Sequence, residues 1–218
     1  EGITMSRTIQ AVDLFAGAGG TSTGLALACK ELGRKVNLTA INHWPEAVET
    51  HTANHPWAKH ICQDVRTVNP EEVIPGGRCH ILVASPECIY YSRAAGGRPK
   101  LDQYRATAWD ILPWLERIRV SNLLIENVPE FRDWGPVNGD GHPIKRLKGT
   151  IYQAWLRAIR AHGYNVDTRI LNAADYGAAT SRARFFLIAK KGNAPIVWPT
   201  STKSKKGLGK KKWRGAKE

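Results

Sequence analysis

The sequence predicts an α/β fold: a doubly wound, mostly parallel sheet covered on both faces, with an antiparallel last strand. Three observations carry this. Strand-length apolar runs alternate with helix-length stretches along most of the 218 residues. The runs Val12-Asp13-Leu14-Phe15, Ile81-Leu82-Val83-Ala84 and Leu123-Leu124-Ile125 are almost unbrokenly apolar, as strands buried on both faces require. The last two predicted strands are joined by residues 172–181, too short for the helical crossover that a parallel pair needs.

Taken in order, the periodicity gives a strand over 9–15, a helix over 21–32, a strand over 36–42, a helix over 45–54 and a short strand at 61–62. A strand over 80–84, a helix over 103–119 and a strand over 122–126 follow, then a helix over 150–161 and closing strands over 165–171 and 184–189. Two long polar loops interrupt this order, 86–101 and 129–148. Loops of that length in a compact domain tend to be binding loops or lids. No internal repeat is present.

The length suits one sizeable α/β domain. Cys29, Cys62, Cys79 and Cys88 form no Cys-x-x-Cys pair and no zinc-type spacing with histidine, so neither a disulfide framework nor a metal site is expected. No apolar stretch is long enough to cross a bilayer, and a cytoplasmic location is expected. The net charge of +13 is unevenly placed, because residues 201–218 hold eight Lys or Arg and one acid, or +7. Such a glycine-interrupted tail suits phosphate contacts and is expected to order only on a polyanion, although a merely solvated tail has the same composition. The basic remainder also favours a nucleic-acid partner.

Three strand exits carry the chemistry. The first strand ends in Phe15-Ala16-Gly17-Ala18-Gly19-Gly20, whose glycines let backbone approach a ligand at a helix N-terminus. The run 81–84 leads through Ser85-Pro86-Glu87 to Cys88, and the run 122–125 delivers Glu126-Asn127-Val128-Pro129. Ligands of open α/β sheets bind at the carboxyl ends of the strands, so a glycine loop, a thiol and an acid are expected to share one pocket.

Together with Arg182-Ala183-Arg184, these segments resemble the C5-cytosine-specific DNA methyltransferase family. The family has an FAGxGG loop, a Pro-Cys-type nucleophile, an ENV tripeptide and a late Arg-x-Arg, in the order found here. The resemblance runs from about residue 10 to residue 190. Ser-Pro-Glu-Cys in place of Pro-Pro-Cys resembles phage and prophage members, and the family includes restriction-modification enzymes. The implied fold is the Rossmann-like class I methyltransferase layout, and the implied cofactor is S-adenosyl-L-methionine.

The resemblance also implies roles. Gly17, Gly19 and Gly20 would wrap the methionine part of the cofactor, with Phe15 and Trp44 against the adenine, Asp64 accepting from its amino group, and Val65 and Pro86 lining the same site. His43 stands where the family places an acid for the ribose hydroxyls, and a neutral imidazole lacks that acid's charge and bidentate geometry. Cys88 would add to C6 of a flipped cytosine, Glu126 would protonate N3, and Arg182 and Arg184 would hold O2 and brace the site. Cys88 is the only cysteine at a strand exit, and Cys29, Cys62 and Cys79 read as small buried hydrophobes. Ser92, Arg93 and Arg98 would contact double-stranded DNA. Glu87, Ile89 and Thr180 depart from the family pattern, and a carboxylate beside Cys88 disfavours its thiolate unless it is directed away.

Residues 1–191 therefore read as a cofactor-dependent catalytic domain and 192–218 as a basic tail at the start of a recognition region, the rest of which is absent or supplied by another chain. Two other readings stay open: a weakly catalytic DNA-binding or regulatory homologue, and an RNA cytosine C5-methyltransferase. No membrane or metal partner is expected.

Overall fold

A computed structural model describes residues 8–87, 107–139, 142–207 and 209–215. Seven strands form one sheet: β1 (Ile9–Leu14), β2 (Val36–Asn42), β3 (Lys59–Cys62), β4 (Arg78–Ala84), β5 (Arg119–Asn127), β6 (Tyr164–Asn172) and β7 (Ala183–Lys191). Their spatial order is β3-β2-β1-β4-β5-β7-β6. Strands β1 to β5 pair in parallel, whereas β7 runs antiparallel to both β5 and β6. The expected fold class is therefore what forms.

Strand order reverses between β1 and β4, the only neighbours from which the chain proceeds outward in opposite directions. Such a switch point opens a crevice at the strands' carboxyl ends. It lies where the glycine loop leaves β1 and Ser85-Pro86-Glu87 leaves β4.

Helices α1 (Gly20–Glu31), α2 (Pro45–Asn54), α3 (Pro70–Val73), α4 (Leu112–Arg117) and α5 (Thr150–Ala161) cover the sheet. α5 buries Tyr152, Trp155, Leu156 and Ile159, the i, i+3, i+4, i+7 stripe of a helix docked on one face. Phe131, Trp134 and Phe185 complete an aromatic cluster with Tyr152 and Trp155. Trp155 donates its indole N–H to the Ala108 carbonyl at 2.9 Å, which satisfies the one polar atom this side chain brings into the core.

Three differences from the sequence reading have physical causes. The helix expected over 103–119 is, among the described residues, a 3₁₀ turn Thr107–Ile111 followed by the short α4. It stops because Ile118 adopts extended backbone and Arg119 pairs with Arg78 to open β5. The short α3 has no periodic signal, being one turn capped by the Asn69 side chain. In the tail, β8 (Lys203–Ser204) pairs in parallel with β9 (Lys211–Lys212). Trp213 donates to Asp175 at 2.9 Å and Trp198 to Asp167 at 2.6 Å, so two indoles and two carboxylates anchor a segment expected to be unordered without a ligand. Lys205, Lys206, Lys210, Lys211, Lys212 and Arg214 remain exposed on it. Among the described residues no helix is long and apolar enough to cross a membrane.

Candidate active site

A cavity of about 850 Å³ opens at the switch point. The glycine loop and the start of α1 form one side through Gly17, Gly19, Gly20 and Thr21; Glu126, Arg182, Arg184 and Phe186 form the other. A smaller cavity of about 210 Å³, lined by Phe15, Asn42, His43, Trp44, Ser85 and Glu87, adjoins it and shares Phe15 and Ser85. The expected convergence of the glycine loop and the acid is thus present. Cys88, Ser92, Arg93 and Arg98 lie outside the described residues.

The loop is held by groups that sequence reasoning missed. Asn42 donates to the Ala16 carbonyl at 2.7 Å, and Asn54 to that of Ala18 at 2.8 Å. Phe15 adopts φ 58°, rare for a bulky residue, which turns its ring to the boundary of the two cavities. Gly19 has φ 95°, and a Cβ there would lie 2.3 Å from Cε1 of His55. Only glycine fits, on both conformational and steric grounds.

Behind the loop runs a buried chain of polar groups. Ser22 donates to Asp13 at 2.6 Å; His51 Nε2 lies 3.1 Å from the same Ser22 oxygen, and His51 Nδ1 lies 2.8 Å from His60 Nε2. The hydroxyl and the two rings thus form one continuous hydrogen-bond chain that ends on Asp13. Burial pushes Asp13 up to about 6, partly opposed by the Ser22 hydrogen bond. Burial, with His55 and His60 nearby, pulls His51 down to about 4. The one sequence signal was a charged residue within the apolar β1 run.

On the opposite side, antiparallel pairing sets Glu126 of β5 against Phe186 of β7, and Arg184 Nε lies 3.1 Å from Glu126 Oε1. Burial raises the Glu126 carboxyl, against the pull of Arg184 and Arg182. Asn127 donates to the Pro86 carbonyl at 3.2 Å, which ties the loop after β4 to the end of β5. Asn127 and Ser85 went unassigned in the sequence reading.

Other expected residues fall elsewhere. Asp64 is gripped by Arg66, whose Nε lies 3.0 and 3.1 Å from the two carboxylate oxygens. This ion pair holds its carboxyl down to about 2, and neither Asp64 nor the buried Val65 lines either cavity. Pro86 is buried and contributes its carbonyl as the acceptor for Asn127. Cys29 and Cys79 are buried, with Cys79 pushed up to about 12 by desolvation, but Cys62 is exposed and corrects its reading as a buried hydrophobe. It ends the sheet's edge strand β3, with its Sγ 3.9 Å from the His43 carbonyl. Among those residues no group of three or more His, Cys, Asp or Glu could hold a metal ion.

Comparison with known proteins identifies the family. The family profile of the C-5 cytosine-specific DNA methylases matches residues 9–214. The type II methyltransferase M.SacI of Streptomyces achromogenes is 23% identical over 92% of this chain and 52% of its own length. M.Sau3AI of Staphylococcus aureus is 27% identical over 84% of this chain and 43% of its own. The crystal structure of a candidate DNA modification methyltransferase encoded within an E. coli prophage superposes with a TM-score of 0.61 at 24% identity, covering 84% of this chain and 47% of that one. The chain spans about half the length of the curated relatives it matches. Since the profile covers nearly the whole sequence, including the glycine loop, the acid at the end of β5 and the Arg-x-Arg strand, the chain belongs to the C-5 cytosine-specific DNA methylase family.

Proposed function

We propose that the chain is the catalytic part of an S-adenosylmethionine-dependent methyltransferase acting on C5 of cytosine in DNA. The observation that carries this is the single cavity with a glycine loop on one side and Glu126, Arg182 and Arg184 on the other. Its size and shared boundary with the Phe15, His43 and Trp44 cavity suit an extended nucleoside ligand beside a planar base. When bound, the cofactor supplies an electrophilic methyl group. This chain's residues do the rest: the loop glycines hold the methionine end, Phe15 and Trp44 flank the adenine, and of Arg182 and Arg184 one holds the pyrimidine carbonyl while the other braces the site. Glu126 delivers a proton to N3, which lowers the negative charge that builds up when a thiolate adds at C6. Cys88 is that nucleophile, because C5 is too weak a nucleophile until C6 carries the thiolate. Ser92, Arg93 and Arg98, with the exposed cations of the tail, contact DNA phosphate. Residues 1–191 form the catalytic domain and 192–218 lead toward a recognition region.

Tritiated-methyl transfer to duplex DNA, with transfer RNA as the competing substrate, tests the reaction. Duplex DNA is expected to be labelled, and Cys88→Ser to abolish labelling while leaving cofactor binding intact. DNA containing 5-fluorocytosine is expected to trap a covalent adduct on Cys88, since no proton can leave C5. An adduct on the exposed Cys62, or labelling of transfer RNA alone, rejects the assignment.

A further inference from the structure

The pocket beside Phe15 holds an unmet acceptor. Glu87 lines it, and its Oε2 is completely buried with no hydrogen-bond partner among the described residues. Its Oε1 faces Nε2 of His43 at 3.9 Å. A buried carboxylate oxygen without a donor costs free energy unless a ligand supplies one. The position of Glu87 is fixed from two sides, since Ser85 N–H donates to the Leu14 carbonyl at 3.2 Å and Asn127 grips the Pro86 carbonyl. Among the described residues Glu87 is the only carboxylate lining this cavity, and Asp64 is occupied by Arg66.

We infer that Glu87, held beside His43, is the acceptor for the two ribose hydroxyls of the cofactor's nucleoside. This deepens the proposed function and rests on its cofactor reading. A vicinal diol presents two O–H donors, and a carboxylate can accept both at once with charge assistance, which an imidazole cannot. His43 at the end of β2 and Glu87 in the loop after β4 thereby form one feature of the same cavity wall. The carboxylate is directed toward His43. Glu87 is in this sense a specificity residue for the cofactor.

Calorimetric titration of the full chain with S-adenosylhomocysteine and its 2′-deoxy analogue gives the test. The parent is expected to bind the deoxy analogue roughly tenfold more weakly, the scale of one hydrogen bond to a charged group. Glu87→Gln is expected to weaken S-adenosylhomocysteine roughly 10- to 100-fold and to discriminate the two ligands by less than about threefold. Equal parent affinity for both ligands overturns the inference without any variant, and so does unaltered discrimination in Glu87→Gln. A parent that binds neither ligand overturns the cofactor reading itself, and the inference with it.

Discussion

Asp13 and Glu126 stand near the ends of β1 and β5 and line the same cavity, yet their surroundings assign them opposite work. Asp13 is 2% exposed and partnered by a neutral hydroxyl, so desolvation dominates and raises its pKa to about 6. The Glu126 side chain is 24% exposed and partnered by a guanidinium, so burial pushes it up while two arginines pull it back. A buried hydrogen-bond chain without a cationic partner belongs to architecture. A charged pair open to the cavity is one that a ligand can compete for and rearrange. Strand-end placement brings a carboxylate to the site, but its partner decides whether it reacts.

Changing the reactive carboxylate gives the largest expected effect. Glu126→Gln removes the proton while keeping the shape, and the transfer rate is expected to fall by roughly 10²–10⁴, the range for loss of a general acid. Stability should change by less than about 1 kcal/mol, as at other sites without a buried unpaired group. Single-turnover rates and urea titrations of the same preparations check both halves. A variant that unfolds easily but turns over normally would place Glu126 with Asp13 and dissolve the contrast.

The architectural side should answer the other way. Gly19→Ala drives a Cβ into the His55 ring and a side chain into the left-handed region, with an expected stability loss of about 2–4 kcal/mol. A Cβ added at Gly20 would meet nothing within 4 Å, and as the first residue of α1 this position should accept alanine within about 1 kcal/mol. Denaturant midpoints of the two variants make the comparison. Equal losses would show that the loop yields around His55, and that the histidine cluster does not fix it.

Legibility followed the same division. The parallel sheet, its antiparallel last strand and the meeting of glycine loop and acid were readable because apolar period, connection length and motif order are local signals. The buried chain behind the loop was not, because Ser22, His51 and His60 are ordinary surface types whose partners lie 9 to 29 residues away in sequence. Trp198 and Trp213 were similarly overlooked in a segment dominated by lysine, although each indole finds a carboxylate on the body. Glu87 was visible as an anomaly, but its relation to His43 needed the crossing from β2 to β4 that only the assembled sheet supplies.

The smallest effect concerns pH. Asp13 has a folded-state pKa raised from 3.8 to about 6, so its contribution is full below pH 3.8 and is lost as pH rises through 6. His51 has a folded-state pKa lowered from 6.5 to about 4, so its contribution is full above pH 6.5 and is lost as pH falls toward 4. Between pH 4 and 6 the two slopes oppose one another, and the parent should show little net change from this pair. Asp13→Asn keeps an acceptor for Ser22 but removes one of the two titrations. Its stability should therefore fall more steeply on acidification than the parent's, by up to about 1.4 kcal/mol per pH unit, the limit for one proton. Urea unfolding at several pH values across that window measures the slope directly. Parallel curves for parent and variant would mean that Asp13 titrates like an exposed carboxylate, and that the neutral partner beside it does not set it apart from Glu126.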